Sequence, residues 1–515
     1  MLLDQITKDT LAEAAKVIGA AQKDPNSLRK GVTVTGISIH GVFGVNLQQG
    51  MHSLLPLLSP FRGSIGRVNK PGSNSDAWKN ITSVTMPKGT VAENAAASQQ
   101  QMTWAQKSAA YKVLGLGDVV SREAQAASQG FDDALALATS ICLLNAMRIE
   151  EQYMLGGNIT PLAGASANVP GTPTVAATAT TAGGITASTT TYYAKIVALT
   201  LPAANRVVGG MDRPAAVNAN NDSVLVGNVR AQTTSPFPIT DGLSAVSAEG
   251  NSGSISPSAK CMRISWTPVP GAAAYAVFVG TTTGSANLAL EAIVTQSHVA
   301  LYSLAGTGIK ANDGSIPTGT ISSGDTLAYD GMIAQMVESG SGSYVKRVNT
   351  ALSASSTTGE ITELQDAFQS LYDTAKIGKF RVVVGAQESR SLTAKSVVSN
   401  SLNIIAQPNG SDRASLVQGA HIGSIMNAIT GDLCPVETAP WLVGGNILIL
   451  PTEVPYAHAN ISQPFQMAMG YDWERIDYAQ TTSSGPQFPF EVRSWGVLEG
   501  LFLGGCGYLY DITRG

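Results

Sequence analysis

Charge is scarce in this chain of 515 residues. Asp, Glu, Lys and Arg make up only 13% of it, about half of the ~25% usual in a soluble domain. The net charge of −4 argues against a general nucleic-acid binder, whose affinity needs clustered Lys and Arg against phosphates. A local basic patch on an inner surface stays compatible with that total. Cysteine is also scarce, and Cys142, Cys261, Cys434 and Cys506 lie far apart with no CxxC or Cys/His ligand spacing. That spacing excludes a structural zinc motif and a disulfide framework, and leaves buried, reduced thiols as the expectation. No run of ~18 apolar residues occurs, so no membrane-spanning helix is expected. Lys8, Asp9, Glu13 and Lys16 interrupt the first residues, which therefore do not form a signal peptide.

Motifs of chemistry are missing as well. "GLGDVV" at 115–120 ends in Val120 and fails the dinucleotide fingerprint, and "MPKGT" at 86–90 lacks the upstream glycine of a phosphate loop. Histidines 40, 52, 298, 421 and 458 are scattered without an HExxH. Asp472 and Glu474 flank Trp473, and alternating strand positions assign them to salt bridges between subunits rather than to catalysis. No catalytic, cofactor-binding or metal-ligating residue is expected, and the chain does not read as an enzyme.

What the chain does have is Gly, Ser, Thr and Ala in quantity, arranged in blocks. Residues 4–23 predict a short amphipathic helix with Ile6, Leu11, Ala14, Ala15 and Ile18 on one side. An extended, Gly-punctuated arm follows to Pro60. Between 61 and 118, "AWKNITSVTM" and "QMTWAQKSAAYKVLGLGD" read as two extended segments around a polar, Ala-rich tip at 92–101. Such a hairpin has little core of its own and is stable only when laid on a neighbour. A long helix is then predicted from Ser121 to Gly156-Gly157. Ser121 is its N-cap and Glu123 sits in its first turn. Phe131, Leu135, Ala138, Cys142, Asn145, Ile149 and Tyr153 follow at helical spacing, with Gly130 as a bend and glycine as the left-handed cap.

Composition shifts at Asn158. Until Ser323 no convincing helix is read, and short segments such as "STTTYYAKIVAL", "KCMRISWTPV", "AAYAVFVG" and "NLALEAIVTQ" predict an all-β sandwich between Gly- and Pro-rich linkers. In "RISWTPVPGAAAYAVFVG", Ile264 and Trp266 alternate with Arg263 and Ser265. A Pro270-Gly271 turn then leads to a strand with Tyr275, Val277 and Val279 inward. Helical logic resumes at "GEITELQDAFQSLYDTA". There Ile361, Leu364, Phe368 and Leu371 share a face, and Glu363, Asp366 and Asp373 are expected outside. "KFRVVVG" reads as a buried strand, "ESRSLTAKSVVSNSL" as a helix, and "GNILILPTEVPYAH" and the C-terminal segment as further strands.

This order resembles the major capsid proteins of tailed bacteriophages, with their HK97-type fold. The residues that carry the resemblance are the arm, the hairpin, the helix ending in "RIEEQYMLGGN", "ELQDAFQSLYDTAKIGKFRVVVGAQESRSL", "GDLCPVETAPWLVGGNILILPTE" and "EVRSWGVLEGLFLGGCGYLYDI". The insert resembles an immunoglobulin-like or fibronectin type III module, through "ISWTPVPGAAAY" and "ASTTTYYAKIVALT". Those two patterns occur in the reverse of the usual order, which points to a permuted or irregular sandwich. The resemblance implies an α+β fold in seven parts. They are an N-terminal arm (1–60), an E-loop hairpin (61–118), a spine helix (119–157), an inserted sandwich (158–323), a peripheral domain (324–375), an axial domain (376–460) and a return to the peripheral domain (461–515).

The implied function is a virion shell subunit, made in the host cytoplasm. It would assemble with itself into hexamers and pentamers of an icosahedral head enclosing double-stranded DNA, held by non-specific contact. Scaffolding and portal proteins are the implied partners. A glycan or host surface is the implied ligand of the sandwich, which would decorate the shell from an outward loop. Alternatives are an encapsulin-like nanocompartment shell and a tail or fibre adhesin. Some relatives crosslink a hairpin lysine to a neighbour's asparagine. Lys79, Lys88, Lys107 and Lys112 lie in the hairpin region and Asn427 in a candidate acceptor loop, but no pattern fixes an acceptor and solvated lysines are the expectation here. Gly66, Gly72, Gly115 and Gly117 are expected to give the hairpin's base its tolerance.

Overall fold

The computed structural model describes residues 60–84, 89–97, 102–128, 133–157, 169–178, 191–208, 224–226, 242–254, 261–302, 304, 306, 308–313, 328–355, 360–399, 422–454, 463–478 and 487–513. The expected helix at 4–23 and the arm to residue 59 lie outside the described residues. The chain divides into two compact units. One joins segments up to Ala77, Ser108–Glu151 and Gln466–Glu499; the other joins Trp78–Lys107, Gln152–Phe465 and Gly500–Gly515.

The first unit is a four-stranded sheet and a helix. Gly66–Asn69 runs parallel to Phe465–Asp477, which neighbours Gln487–Gly500, and Lys112–Ser121 closes the sheet antiparallel to that last strand. The predicted single helix is in fact two. Ser121 ends a strand, and its Oγ accepts the Ala124 N–H (3.2 Å) to start a short helix, Arg122–Ser128. Asp133 then caps a second helix, Ala134–Leu155, accepting the N–H groups of Leu135 (3.0 Å) and Ala136 (3.3 Å). The long helix therefore spans roughly 33 Å, not the ~50 Å a single helix would reach. It ends at Gly157, whose φ of +43° lies in the left-handed region that glycine adopts without penalty. Gly115 and Gly117 have no such freedom to supply. They sit within a regular strand, and a Cβ there would stand 3.0 Å from Arg493 Cγ and 3.2 Å from Glu491 Cγ. Close approach, not tolerance of bending, is what those glycines provide.

The second unit holds a two-layer β assembly and a mixed sheet. The β assembly pairs a five-stranded sheet with a three-stranded one. In the first, Ala274–Gly280 lies between Thr191–Leu199 and Ala289–Val294, with Val224–Val226 and Gly250–Ser254 at its edges. In the second, Cys261–Ser265 lies between Thr174–Thr178 and His298–Leu301. Every registered pair is antiparallel. One core joins the two layers: Ile196, Ile264, Trp266, Tyr275, Val277 and Val299 are among its residues. Trp266 meets Tyr275 edge to face at 5.4 Å, and the Tyr275 hydroxyl donates to Val269 O (3.2 Å) while accepting the Val269 N–H (3.0 Å). The turn between them rests on Gly271, at φ +84°.

Two details differ from expectation. Ala274–Gly280 is buried on both faces, so it does not alternate. The segment also contains a helix, Leu201–Val208, started where Thr200 Oγ1 accepts the Ala203 N–H (3.4 Å).

The mixed sheet has six strands, in the order Tyr344–Arg347, Gly507–Tyr510, Ile447–Pro451, Phe380–Val384, Leu433–Thr438 and Ser424–Met426. Helix Thr362–Ala375 packs on it through Leu364, Phe368 and Leu371, with Phe368 stacked on Phe380 at 5.3 Å. The boundary expected between 375 and 376 thus falls inside one core, because the helix and the following strand bury the same apolar surface. The C-terminal segment supplies two strands. Gln487–Gly500 serves the four-stranded sheet and Gly507–Tyr510 the six-stranded one. Glu363 faces inward, contrary to the helical pattern: it accepts the Ser353 N–H (3.0 Å), a group from outside its own helix. Asp366 does point outward, to Lys346 (3.0 Å).

Candidate functional site

The sequence offered one unusual object, a strand pair without a core, and the structure contains it. Ser75–Val84 and Met102–Ala110 form a separate two-stranded sheet. Residues 89–97 at its tip are exposed throughout, including Val91 at 48%. Along the second strand exposed and half-buried residues alternate, with Trp104 exposed at 47% beneath the Lys79 ammonium, 4.1 Å from the ring centroid.

Among the described residues, the ribbon is anchored through Trp78, Asn80 and Lys107. Asn80 is fully buried: its Nδ2 donates to Ser341 O (3.4 Å) and its Oδ1 accepts the Leu503 N–H (3.2 Å). The Trp78 indole N–H donates to Gly500 O (3.0 Å), and Lys107 pairs with Glu338 (2.6 Å). A two-stranded sheet whose tip residues 89–97 are exposed is marginal in water on its own.

Within the first unit, a buried ion network ties Arg62 and Arg67 to the long helix. Glu150, with no exposure, accepts from Arg62 Nε (2.9 Å), Arg67 Nη2 (2.6 Å) and the Trp473 indole N–H (2.8 Å). Arg67 Nη1 also donates to Asp472 (2.9 Å). Burial alone would push the Glu150 carboxyl up; Arg67, Arg62 and the Trp473 hydrogen bond overturn that and hold it below its ordinary value. Asp472 therefore belongs to an intrachain network and not to the inter-subunit bridge expected of it, while Glu474 is exposed. Nothing in the spacing of Arg62, Arg67 and Glu150 signals this arrangement, because its members are up to 88 residues apart before Asp472 is added.

A second network fastens the two-layer β assembly to the mixed sheet. Ser297 donates its N–H (2.9 Å) and its hydroxyl (2.7 Å) to the Asp511 carboxylate. Arg347 donates from Nε to that carboxylate (2.7 Å) and from Nη2 to Ser297 Oγ (2.9 Å). Asn205 adds a bond to Trp441 O (3.0 Å). The β assembly is therefore bonded directly to the mixed sheet.

The other sequence candidates are dispersed. Asn427 is buried and holds its own turn, donating to Gly378 O (2.9 Å) and accepting the Ile429 N–H (3.0 Å), so both ends of its amide are committed. Lys88 and histidines 40, 52, 421 and 458 lie outside the described residues, and His298 sits half-buried in a strand. All four cysteines are buried and free. Among the described residues, no group of three or more His, Cys, Asp or Glu is placed to hold a metal ion, and no helix is long and apolar enough to cross a membrane.

No protein-family model matches the chain, and no curated protein does. Solved structures to which it is similar include three particles. One is the capsid of Cyanophage A-1(L), 10% identical over 93% of this chain and 99% of that one, with a TM-score of 0.38. A second is the capsid of the native GTA particle, 10% identical over 94% and 96%, with a TM-score of 0.35. The third is the virus-like particle from Pyrococcus furiosus, 12% identical over 33% of this chain with a TM-score of 0.19. This chain spans 54% of that one's length.

Proposed function

We propose that this chain is a shell-forming subunit, the major capsid protein of a tailed-phage-type head, working by packing against copies of itself. The observation that carries the reading is the ribbon, anchored by Asn80, Trp78 and Lys107 and exposed at residues 89–97 of its tip. Surface of that kind gains order when it lies on a neighbouring subunit, and many weak repeated contacts then sum through multivalency. A contact that is heterologous and closes into rings yields hexamers and pentamers. The order of elements in the sequence, arm, hairpin, helix, insert and α/β sheet, supports the same reading. On it, the enclosed cargo is double-stranded DNA and the inserted β assembly is a decoration module.

Replacing residues 85–100 by a two-residue turn tests the ribbon's role. The shortened chain keeps its circular dichroism and its melting transitions, since the anchored base is retained, and loses high-mass species in light scattering. Undiminished assembly by the shortened chain would remove the ribbon from the account.

A further inference from the structure

Lys70, Asp76 and Glu499 meet at the turn that joins Gly66–Asn69 to the ribbon, all within the first unit. Lys70 Nζ stands 2.7 Å from Asp76 Oδ2 and also contacts Glu499 Oε1. Against the pull of burial, the bonds to Asp76 and Glu499 hold the Lys70 ammonium above its ordinary value, while the Asp76 carboxyl is held below its own. Glu499 is buried at 1% exposure. Burial pushes the Glu499 carboxyl up to about 7, against the Lys70 ammonium, which lowers it. The free oxygen of Asp76, Oδ1, accepts the N–H of Ala77 (2.8 Å).

The backbone around the three groups is fixed. Lys70 N–H donates to Met469 O (2.9 Å), Lys70 O accepts the Tyr111 hydroxyl (3.2 Å), and Tyr111 N–H donates to Asn74 O (2.9 Å). Tyr111 itself is buried and packs edge to face on Trp495 at 5.1 Å.

An amine, a carboxyl group, a second carboxyl to carry a proton between them and an N–H aimed at the carboxyl oxygen are the parts that amide formation requires. We propose that Lys70 and Asp76 condense to an intrachain isopeptide bond, with Glu499 as the proton-transfer group. The ammonium first passes a proton to Asp76 across the 2.7 Å contact, giving an amine and an acid with the total charge unchanged. Nζ attacks Cγ, and the oxyanion that forms on Oδ1 is held by the Ala77 N–H. Glu499, in contact with Nζ, takes the proton that the attacking nitrogen sheds and hands it to the departing Oδ2 oxygen, which leaves as water. The Nζ–Cγ bond forms, the Cγ–Oδ2 bond breaks, and one water leaves, with no oxidant, reductant or co-reactant. The product closes the turn covalently at the root of the ribbon, whether or not the chain builds a shell.

Intact mass of the denatured full-length chain tests this. The expected value is the sequence mass less one water in nearly every molecule, with tandem spectra showing no backbone fragments separated between residues 70 and 76. A succinimide would lose the same mass, so two controls separate the cases. The isopeptide resists hydroxylamine, and Lys70→Arg restores the full sequence mass. Glu499→Gln, verified as folded by circular dichroism, also restores it. A wild-type chain that is folded and carries its full sequence mass overturns the proposal, and so does a water loss that persists in Lys70→Arg.

Discussion

Replacing Glu150 by alanine is expected to destabilise the first unit by about 3–5 kcal/mol, the cost of leaving buried charge without its partner. The glutamate has no exposure, and Arg62 and Arg67 keep only 12% and 8% of their side chains in contact with solvent. Without Glu150, Asp472 faces both guanidinium groups at once, Arg67 Nη1 at 2.9 Å and Arg62 Nη2 at 3.5 Å. Trp473 loses the acceptor of its indole N–H as well. Hydrogen exchange read by mass spectrometry localises the effect: amides in 134–151 and 466–477 lose protection by two orders of magnitude or more, on the order of 1.4 kcal/mol per decade. Amides of the mixed sheet at 380–384 and 447–451 are unchanged, because they belong to the other unit. Protection lost equally in both units would show that the network is not local.

Raising the pH from 5 to 8 is expected to weaken the second unit, the opposite of the usual behaviour of paired carboxylates. Glu388 lies in the first turn of helix Ala386–Ser399, fully buried, and accepts the Gly445 N–H. Burial, opposed only partly by that bond, pushes its carboxyl up to about 7. A carboxyl whose folded value lies above its unfolded one binds its proton more tightly when folded. Its stabilising effect is therefore complete below about 4.5 and lost as the pH rises through about 7. At about 1.4 kcal/mol per unit, this one residue accounts for a loss on the order of 3 kcal/mol between pH 5 and pH 8. Glu151 acts in the same direction in the first unit: it is buried and also raised to about 7. Denaturation midpoints at pH 5, 6, 7 and 8 measure the effect. Glu388→Gln flattens the profile of the second unit and, at pH 8, is more stable than the wild type. A Gln variant less stable than the wild type at pH 8 would contradict this account of the site.

The parts of the fold that were legible in the sequence are those set by local pattern. Leu364, Phe368 and Leu371 announce their helix by spacing, and Arg263, Ile264 and Ser265 alternate as a strand must. Two errors had signals that were available. "FDDALA" contains the Asp133 cap that starts a second helix, and "TLPAANRVV" carries Thr200 followed by proline in a first turn. The remaining errors had none. Glu363 turns inward for a backbone N–H that another segment supplies, and Asp472 for two arginines some four hundred residues away. Burial on both faces of Ala274–Gly280 is likewise a property of what packs on it, which alternation within the strand does not encode. The ribbon is the intermediate case. Its two strands and polar tip are readable, whereas its anchorage on Ser341 and Leu503 is a matter of long-range contact.

Negative-stain electron microscopy of the purified full-length chain, co-expressed with its neighbouring genes, tests the central claim most directly. The account predicts closed shells of uniform diameter. Monomers or small rings without shells, at every salt concentration tried, would contradict it.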